Sequence, residues 1–322
     1  MPPRAAHPES VVEPDAGRPL LGRVALITGA SGGGVGSTTA RLLAARGAAV
    51  IVNYFQNRAG ADQVVADIAA GGGRALAVQA DVGEQEQVAR MVAAALEAYG
   101  RLDVLVNNAS AGRHFPRGAF VDLTWEQFDE GINARLRPAF LVTQAVVPAM
   151  RRQGGGRLIY VGSEHAEGPA APGMIANGTS GAALVAFVRY LAHELGPDGI
   201  TANVVSPGGI DTLSTERALA AMGIPPAFRE RMAAAVPLGR MATPRDVAGA
   251  IAFYAGDDAA FMTGTVAHVN GGFGIARGST GAGGAAGAAG AAAPPWAGDR
   301  SRGAATAPDR GAPAGERGAE TR

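Results

Sequence analysis

Between Thr28 and Gly36 the chain reads Thr28-Gly29-Ala30-Ser31-Gly32-Gly33-Gly34-Val35-Gly36, and the chemistry of such a run belongs to its backbone. Glycines allow a tight turn and let main-chain N–H groups come close to a pyrophosphate. A helix starting directly behind them adds exposed N–H groups and the positive end of its dipole. A plain strand-to-helix turn has the same composition, so context decides. This run follows the first apolar strand of an alternating chain, which selects the dinucleotide reading. Two histidines add proton chemistry near neutral pH: His165, readable as an acid or base or as a loop residue facing water, and His114, a weaker candidate. The sequence contains no cysteine and no lysine. Disulfides, thiolate nucleophiles and cysteine-held metals are therefore excluded. The five histidines show no ligand spacing, so no metal site is expected.

The elements that must position these groups alternate. Short apolar runs of β type are Arg23–Thr28, Ala48–Asn53, Ala75–Gln79, Asp103–Asn107, Arg157–Val161, Ile200–Val205 and Thr265–Val269. Stretches with apolar residues three and four apart lie between them, among them Ser37–Arg46, Gln85–Tyr99, Trp125–Arg151 and Gly181–Leu195. Apolar strands alternating with helices predict an α/β fold, a single doubly wound parallel sheet with helices on both faces.

The 322 residues carry zero formal net charge and are 47% hydrophobic. This length suits one domain of roughly 250 residues with tails. The charge balance gives no sign of nucleic acid or of an acidic membrane surface as partner. Residues 1–18 are Pro-rich and aperiodic, 19–276 hold the alternating pattern, and 277–322 are Gly/Ala/Pro-rich. Both ends are expected to be disordered, because such segments bury too little apolar area to offset ordering entropy. Trp296 in the second tail is either a docking point or a solvated aromatic. No apolar run reaches the roughly 20 residues of a membrane span, and the first residues lack the apolar core of a signal peptide. A cytoplasmic location is expected.

Several ordered motifs resemble the short-chain dehydrogenase/reductase family, over about Gly22 to Gly274. The family's Thr-Gly-x-x-x-Gly-x-Gly matches the glycine run, with one extra residue before Gly34. Gly29, Ser31, Gly34, Val35 and Gly36 would then meet the cofactor. Asp81 and Val82 resemble the pair at the adenine. Asn107-Asn108-Ala109 resembles Asn-Asn-Ala-Gly, with Ser110 replacing the glycine. Pro207, Gly208, Ile210 and Thr212 fall in the loop that holds carboxamide and phosphates. Thr263-Gly264 and Val269-Asn270-Gly271-Gly272 resemble the last strand and its turn, Asn270 standing where Asp is commoner. The resemblance implies a Rossmann-like fold, a bound nicotinamide dinucleotide, a small-molecule substrate, and a homodimer or homotetramer built through the two long helices. At the end of the second strand Asn53-Tyr54 carries no acid to bind a ribose 2′-hydroxyl, and Arg58 follows. This favours NADP(H) over NAD(H), with Arg58 as a plain solvated helix residue the alternative.

The family's reacting group is Asn, Ser, Tyr and Lys, the last two sharing one helix face. Ser163 matches the serine. Aligned through Leu191-Ala192-His193-Glu194-Leu195, Asn177 takes the Tyr position and Gly181 the Lys position, while Arg135 takes the Asn position. A shifted alignment does not restore the pair. The chain has no lysine, Tyr160 alternates away from Ser163, Tyr190 lies more than three turns on, and Met174, at the displaced Tyr position of some enoyl-carrier-protein reductases, holds no transferable proton. Arg135 is read either as a cation replacing the lysine or as a structural ion pair. Glu164 and Glu167 read as parts of a solvated loop.

The expected function is an atypical NAD(P)-dependent reductase of an activated acceptor, with ordinary ketones reduced hardly at all. Two alternatives stay open: cyclisation, dehydration or isomerisation using Ser163, His165 and Arg135, or a non-catalytic sensor or partner subunit that binds NADP(H). The segment Asp211–Arg240 reads as a lid whose composition suits a mostly apolar ligand.

Overall fold

Seven strands form one sheet in a computed structural model that describes residues 17–110, 116–168, 173–212, 215–217, 220, 223, 225 and 227–275. The strands are β1 (Val24–Ile27), β2 (Ala49–Tyr54), β3 (Arg74–Gln79), β4 (Val104–Asn107), β5 (Gly156–Val161), β6 (Ile200–Pro207) and β7 (Val266–Val269). Their order is β3-β2-β1-β4-β5-β6-β7, and every pairing is parallel. The order reverses between β1 and β4, and that switch point opens a crevice beyond the carboxyl ends of the strands. The expected doubly wound α/β architecture is the one observed. His114 and Trp296 lie outside the described residues, as do the two tails apart from Gly17 and Arg18.

Strand alternation distributes the core. Ala25, Ile27, Val50, Val52, Val104 and Val106 face one layer, with α1 (Val35–Ala45), α2 (Arg58–Ala70) and α7 (Pro244–Ala255). Val24, Leu26, Ile51, Leu105, Leu158 and Tyr160 face the other, with α3 (Gln85–Tyr99), α4 (Trp125–Gln153) and α5 (Ile175–Leu195). Each fully buried Val, Leu or Ile contributes about 1.5–3 kcal/mol, so both faces are strongly specified. A shorter helix, α6 (Ala227–Ala235), lies near the carboxyl edge.

α5 starts at Ile175, six residues ahead of the periodic stretch Gly181–Leu195. Asn177, Gly178, Thr179 and Ser180 are poor helix formers, and tertiary packing overrides that preference. Gly131 of α4 lies so near α5 that a Cβ there would stand 2.6 Å from that of Ala176, and Arg135 of α4 bonds the carbonyl of Asn177 at 3.1 Å.

Strands β1 and β4 are joined at their carboxyl ends by Thr28. Its Oγ1 accepts from the N–H of Asn108 and of Ala109, each at 3.0 Å, and donates to the Val106 carbonyl at 3.3 Å. Thr28→Val keeps the shape and strands two N–H groups. It should lower the unfolding free energy by about 1–3 kcal/mol in urea titration, while Thr28→Ser retains most of the stability. An unchanged midpoint for Thr28→Val would mean that water satisfies both donors.

Candidate functional site

The glycine run forms a cradle at the switch point. Gly29 has φ +65°, the left-handed region that glycine adopts without strain. A Cβ on Gly36 would lie 2.5 Å from the Gly29 carbonyl and 2.6 Å from Asn108 Nδ2, so only glycine lets α1 begin so close to the turn. At Gly32, Gly33 and Gly34 a Cβ would meet open space. Gly34 caps α1 without a side-chain bond, which leaves the first-turn N–H groups of Val35 and Gly36 without side-chain acceptors. A bare helix start fronted by open glycines suits a pyrophosphate, so the residues present fit a dinucleotide. The extra residue leans on α2, where Asn57 Nδ2 donates to the Ser31 carbonyl at 2.6 Å while its Oδ1 accepts from Gly60 N–H.

Asn53 sits differently from its expected place at the cofactor. It is 2% exposed. Its Oδ1 accepts from Gly29 N–H at 3.1 Å and its Nδ2 donates to the Ala80 carbonyl at 3.1 Å. A buried amide satisfied by the main chain holds the loop and does not reach into the crevice. Arg58 opens α2 and is exposed, in a loose 3.4 Å pair with Asp62; such a pair is weak and leaves the guanidinium able to turn. Half-buried Asp81 accepts from Gly83 N–H at 2.9 Å, and the Gly83 carbonyl accepts from Arg137 of α4 at 2.7 Å. Val82 beside it is buried. Asn108 Nδ2 donates to the carbonyls of Thr28 and Gly29, and Ala109 packs against Gly29. Pro207 ends β6, and Gly208 N–H donates to the Val269 carbonyl at 3.1 Å. Ile210 bridges to Ala242, and Thr212 Oγ1 accepts from Thr215 N–H at 3.0 Å. The cofactor residues inferred from sequence thus gather along one carboxyl edge, with Asn53 behind it.

The reacting half is built from β5, α4 and α5. Ser163 follows β5 and caps a short turn, Glu164–Ala166, with Oγ accepting from His165 N–H at 3.4 Å. Arg135 crosses from α4 to α5. Its Nη2 donates to Asn177 Oδ1 at 2.8 Å and its Nη1 to the Asn177 carbonyl at 3.1 Å. The same Nη1 lies 3.0 Å from where a Cβ of Gly181 would be. A guanidinium therefore stands over Gly181. Burial lowers its pKa to about 10, so it stays charged at neutral pH. Arg135, Ala109, Ser110, Gly162 and Leu184 line a polar cavity of about 110 Å³.

Tyr160 is fully buried, its hydroxyl 2.6 Å from Thr143 Oγ1, and burial pushes its pKa up beyond the usual phenol value. Tyr190 is exposed, far along α5. Burial, reinforced by Arg117 and Arg135, lowers the pKa of His165, and its buried Nδ1 has no partner among the described residues. His165 is half-buried, which sets aside the loop-facing-water reading.

Glu164 corrects another expectation. It is half-buried, not solvated. Its Oε2 is sealed from water without a hydrogen-bond partner among the described residues and lies 2.9 Å from where a Cβ of Gly208 would be. Burial alone raises its pKa to about 7. The one sequence signal was adjacency to Ser163. Glu167 is exposed, as expected.

The family model described as enoyl-(acyl carrier protein) reductase matches residues 29–274. An uncharacterized oxidoreductase of Methylorubrum extorquens is 42% identical over 79% of this chain and 98% of its own. A 3-oxoacyl-[acyl-carrier-protein] reductase of Synechocystis is 39% identical over 79% and 97%. A blue fluorescent protein from a metagenomic library, solved in complex with NADPH, is 36% identical with a TM-score of 0.70, covering 80% of this chain and 100% of that one. The chain belongs to the short-chain dehydrogenase/reductase family of NAD(P)-dependent oxidoreductases. That membership does not favour the non-redox and sensor alternatives. Among the described residues no helix is long and apolar enough to cross a membrane, and no group of His, Cys, Asp and Glu could hold a metal ion.

Arg135→Ala removes both bonds to Asn177 and empties the volume over Gly181. It should weaken NADPH binding by about 1–3 kcal/mol, the scale of a charged hydrogen bond, and Arg135→Lys should recover only part because the planar fork is lost. Calorimetric titration of both variants, with melting curves to check folding, measures this; parental affinity in both would reduce Arg135 to a helix-packing role.

Proposed function

We propose that the chain is an NADP(H)-dependent reductase of an activated, mostly apolar small molecule, in which Arg135 replaces the cation that a lysine supplies elsewhere in the family. The observation that carries this reading is the guanidinium standing over Gly181. Placed there, it faces the region of the cofactor ribose and of a developing oxyanion, and it can bond either but cannot release its proton at neutral pH. Asn177, at the family's Tyr position, has its Oδ1 engaged by that guanidinium.

The cofactor, when bound, supplies hydride. Ser163 orients the acceptor oxygen through its hydroxyl hydrogen, while its Oγ accepts from His165 N–H. The Asn108–Thr28 junction keeps the cradle and the reacting groups in register. A quinone, a conjugated enone or an iminium ion needs less proton assistance than a plain ketone, which suits a site without the family's phenolic donor. Met232 and Met241 beside Gly209, together with Val236 and Leu238 near Gly271, support an apolar acceptor. For NADP(H) the support is electrostatic: β2 ends without a carboxylate, and Arg58 stands at the start of α2, beside the loop it would share with a 2′-phosphate. Exposed Phe140 and Tyr190 on α4 and α5 support assembly as a homodimer or homotetramer.

Two measurements test this. Calorimetry should give tighter binding of NADPH than of NADH, and Arg58→Ala should narrow the gap; equal or tighter NADH binding would remove the NADP assignment. With NADPH at about pH 8, phenanthrenequinone should be reduced and cyclohexanone slower by about 10²- to 10⁴-fold, the usual worth of general acid catalysis. Comparable rates would show that the activated-acceptor reading is wrong.

A further inference from the structure

A reduced acceptor still needs a proton, and the usual donors are absent or disabled. Lysine and cysteine do not occur in the chain. Tyr160 is sealed against Thr143. His165 has its pKa lowered by burial and by Arg117 and Arg135, so at neutral pH it carries no spare proton. Glu164, next to Ser163, differs from all of these. Its Oε2 rests against Gly208, in the loop that the family uses for the nicotinamide end. Its side chain also borders a cleft of about 620 Å³, lined by Glu167, His268, Asn270, Phe273 and Ile275 among others.

We propose that Glu164 is the proton donor of this enzyme, a catalytic carboxylic acid delivering to the acceptor oxygen that Ser163 orients. The proposal rests on the reductase reading and adds the acid that reading lacks. Once hydride has brought two electrons to the acceptor carbon, the C=O π pair moves onto oxygen. The O–H bond of Glu164 then breaks, its electron pair stays on the carboxylate, and a new O–H bond forms on the acceptor. The cofactor ends oxidised, the acceptor reduced by two electrons and two hydrogens, and Glu164 ionised. Reprotonation comes from the cleft, where Glu167 and His268 are both solvent-accessible and 3.9 Å apart. Among the described residues, those two and His165 on its own turn are the titratable groups near Glu164, and Arg117 and Arg135 act on His165. A carboxyl whose pKa is raised by burial to about 7 is half protonated at neutrality, the balance that general acid catalysis requires. Above neutrality Glu164 is ionised, which is when ordinary ketones should be hardest to reduce.

The test uses Glu164→Gln, with Glu97→Gln on the exposed face of α3 as control. One readout does not involve turnover. Glu164 binds a proton in the folded state between the ordinary carboxyl value of 4.5 and about 7, whereas the unfolded chain does not. The stability this confers is complete below the lower value and is lost as pH rises through the upper one. Glu164→Gln, uncharged throughout, should therefore melt with the parent at about pH 4 and above it at about pH 8. The second readout is phenanthrenequinone reduction by NADPH. The parent kcat should fall as pH rises through neutrality, whereas Glu164→Gln should be about 10²-fold slower at about pH 6 and flat with pH. NADPH affinity should be the same in parent, variant and control. Parallel melting differences at both pH values, a superposable rate profile, or a parent that binds NADPH but reduces no quinone at about pH 6 would each overturn the proposal while leaving the cofactor reading intact. A parent that binds no NADPH would remove both.

Discussion

A guanidinium largely removed from water dictates its own surroundings, and Arg135 is the residue around which the reacting half is arranged. Burying such a charge is costly unless it is bonded. Arg135 meets that requirement with the carbonyl and side chain of Asn177, which draws the first turn of α5 against α4. The approach is possible because Gly131 presents no side chain to Ala176 and Gly181 none to the guanidinium. A side chain at Gly131 or at Gly181 would clash, and losing the Asn177 amide would cost the guanidinium its shortest bond. The two helices, the residues Arg135, Asn177 and Gly181, and the local helix start therefore form one coupled arrangement.

That coupling sets the electrostatics of the crevice. On the α4 side burial, reinforced by Arg117 and Arg135, lowers the pKa of His165. On the β6–β7 side the Glu164 carboxyl lies against Gly208, and its proton is retained by burial. Fixed positive charge on one flank and a neutral acid on the other form a gradient along which negative charge on a reduced acceptor can be stabilised and then discharged. The separation matters: had Arg135 reached Glu164, the carboxyl would ionise and lose its proton-donating range.

Much of the frame was legible in the sequence because it rests on local rules. Strand alternation at Ala25, Leu26 and Ile27 and the glycine run from Gly29 to Gly36 follow from side-chain period and main-chain approach. The loop at Pro207-Gly208 was read from its resemblance to the family's loop, and it lies at the carboxyl end of β6. Three features were not legible. Asn53 was read as a cofactor contact because it ends the second strand, where an acid would meet the ribose 2′-hydroxyl, yet its side chain turns inward to hold Gly29 and Ala80; direction at a strand end depends on the neighbouring loop. The start of α5 was obscured by Gly178, Thr179 and Ser180, whose propensities yield to packing against α4. Glu164 read as a solvated loop residue because charge usually implies exposure. Its burial arises where the β5, β6 and β7 ends converge, a contact among segments far apart in sequence.

The convergence at Gly208 also explains why the acid is Glu164 and not its neighbour Glu167. The turn begins at Ser163, whose extended backbone carries it out of β5. The next side chain is therefore directed along the carboxyl edge toward β6 and β7, while one turn later Glu167 has already reached the surface. Gly208 has no Cβ to occupy the space that the Glu164 carboxyl takes, and Asn270 keeps its own amide occupied with Phe273 and Gly272. Its neutral side chain, where the resemblance would more often put an acid, adds no further negative charge beside the carboxyl. A carboxylate at Asn270 would force the pair to share one proton and spread their titration over two steps. With Asn there, burial alone raises the pKa of Glu164.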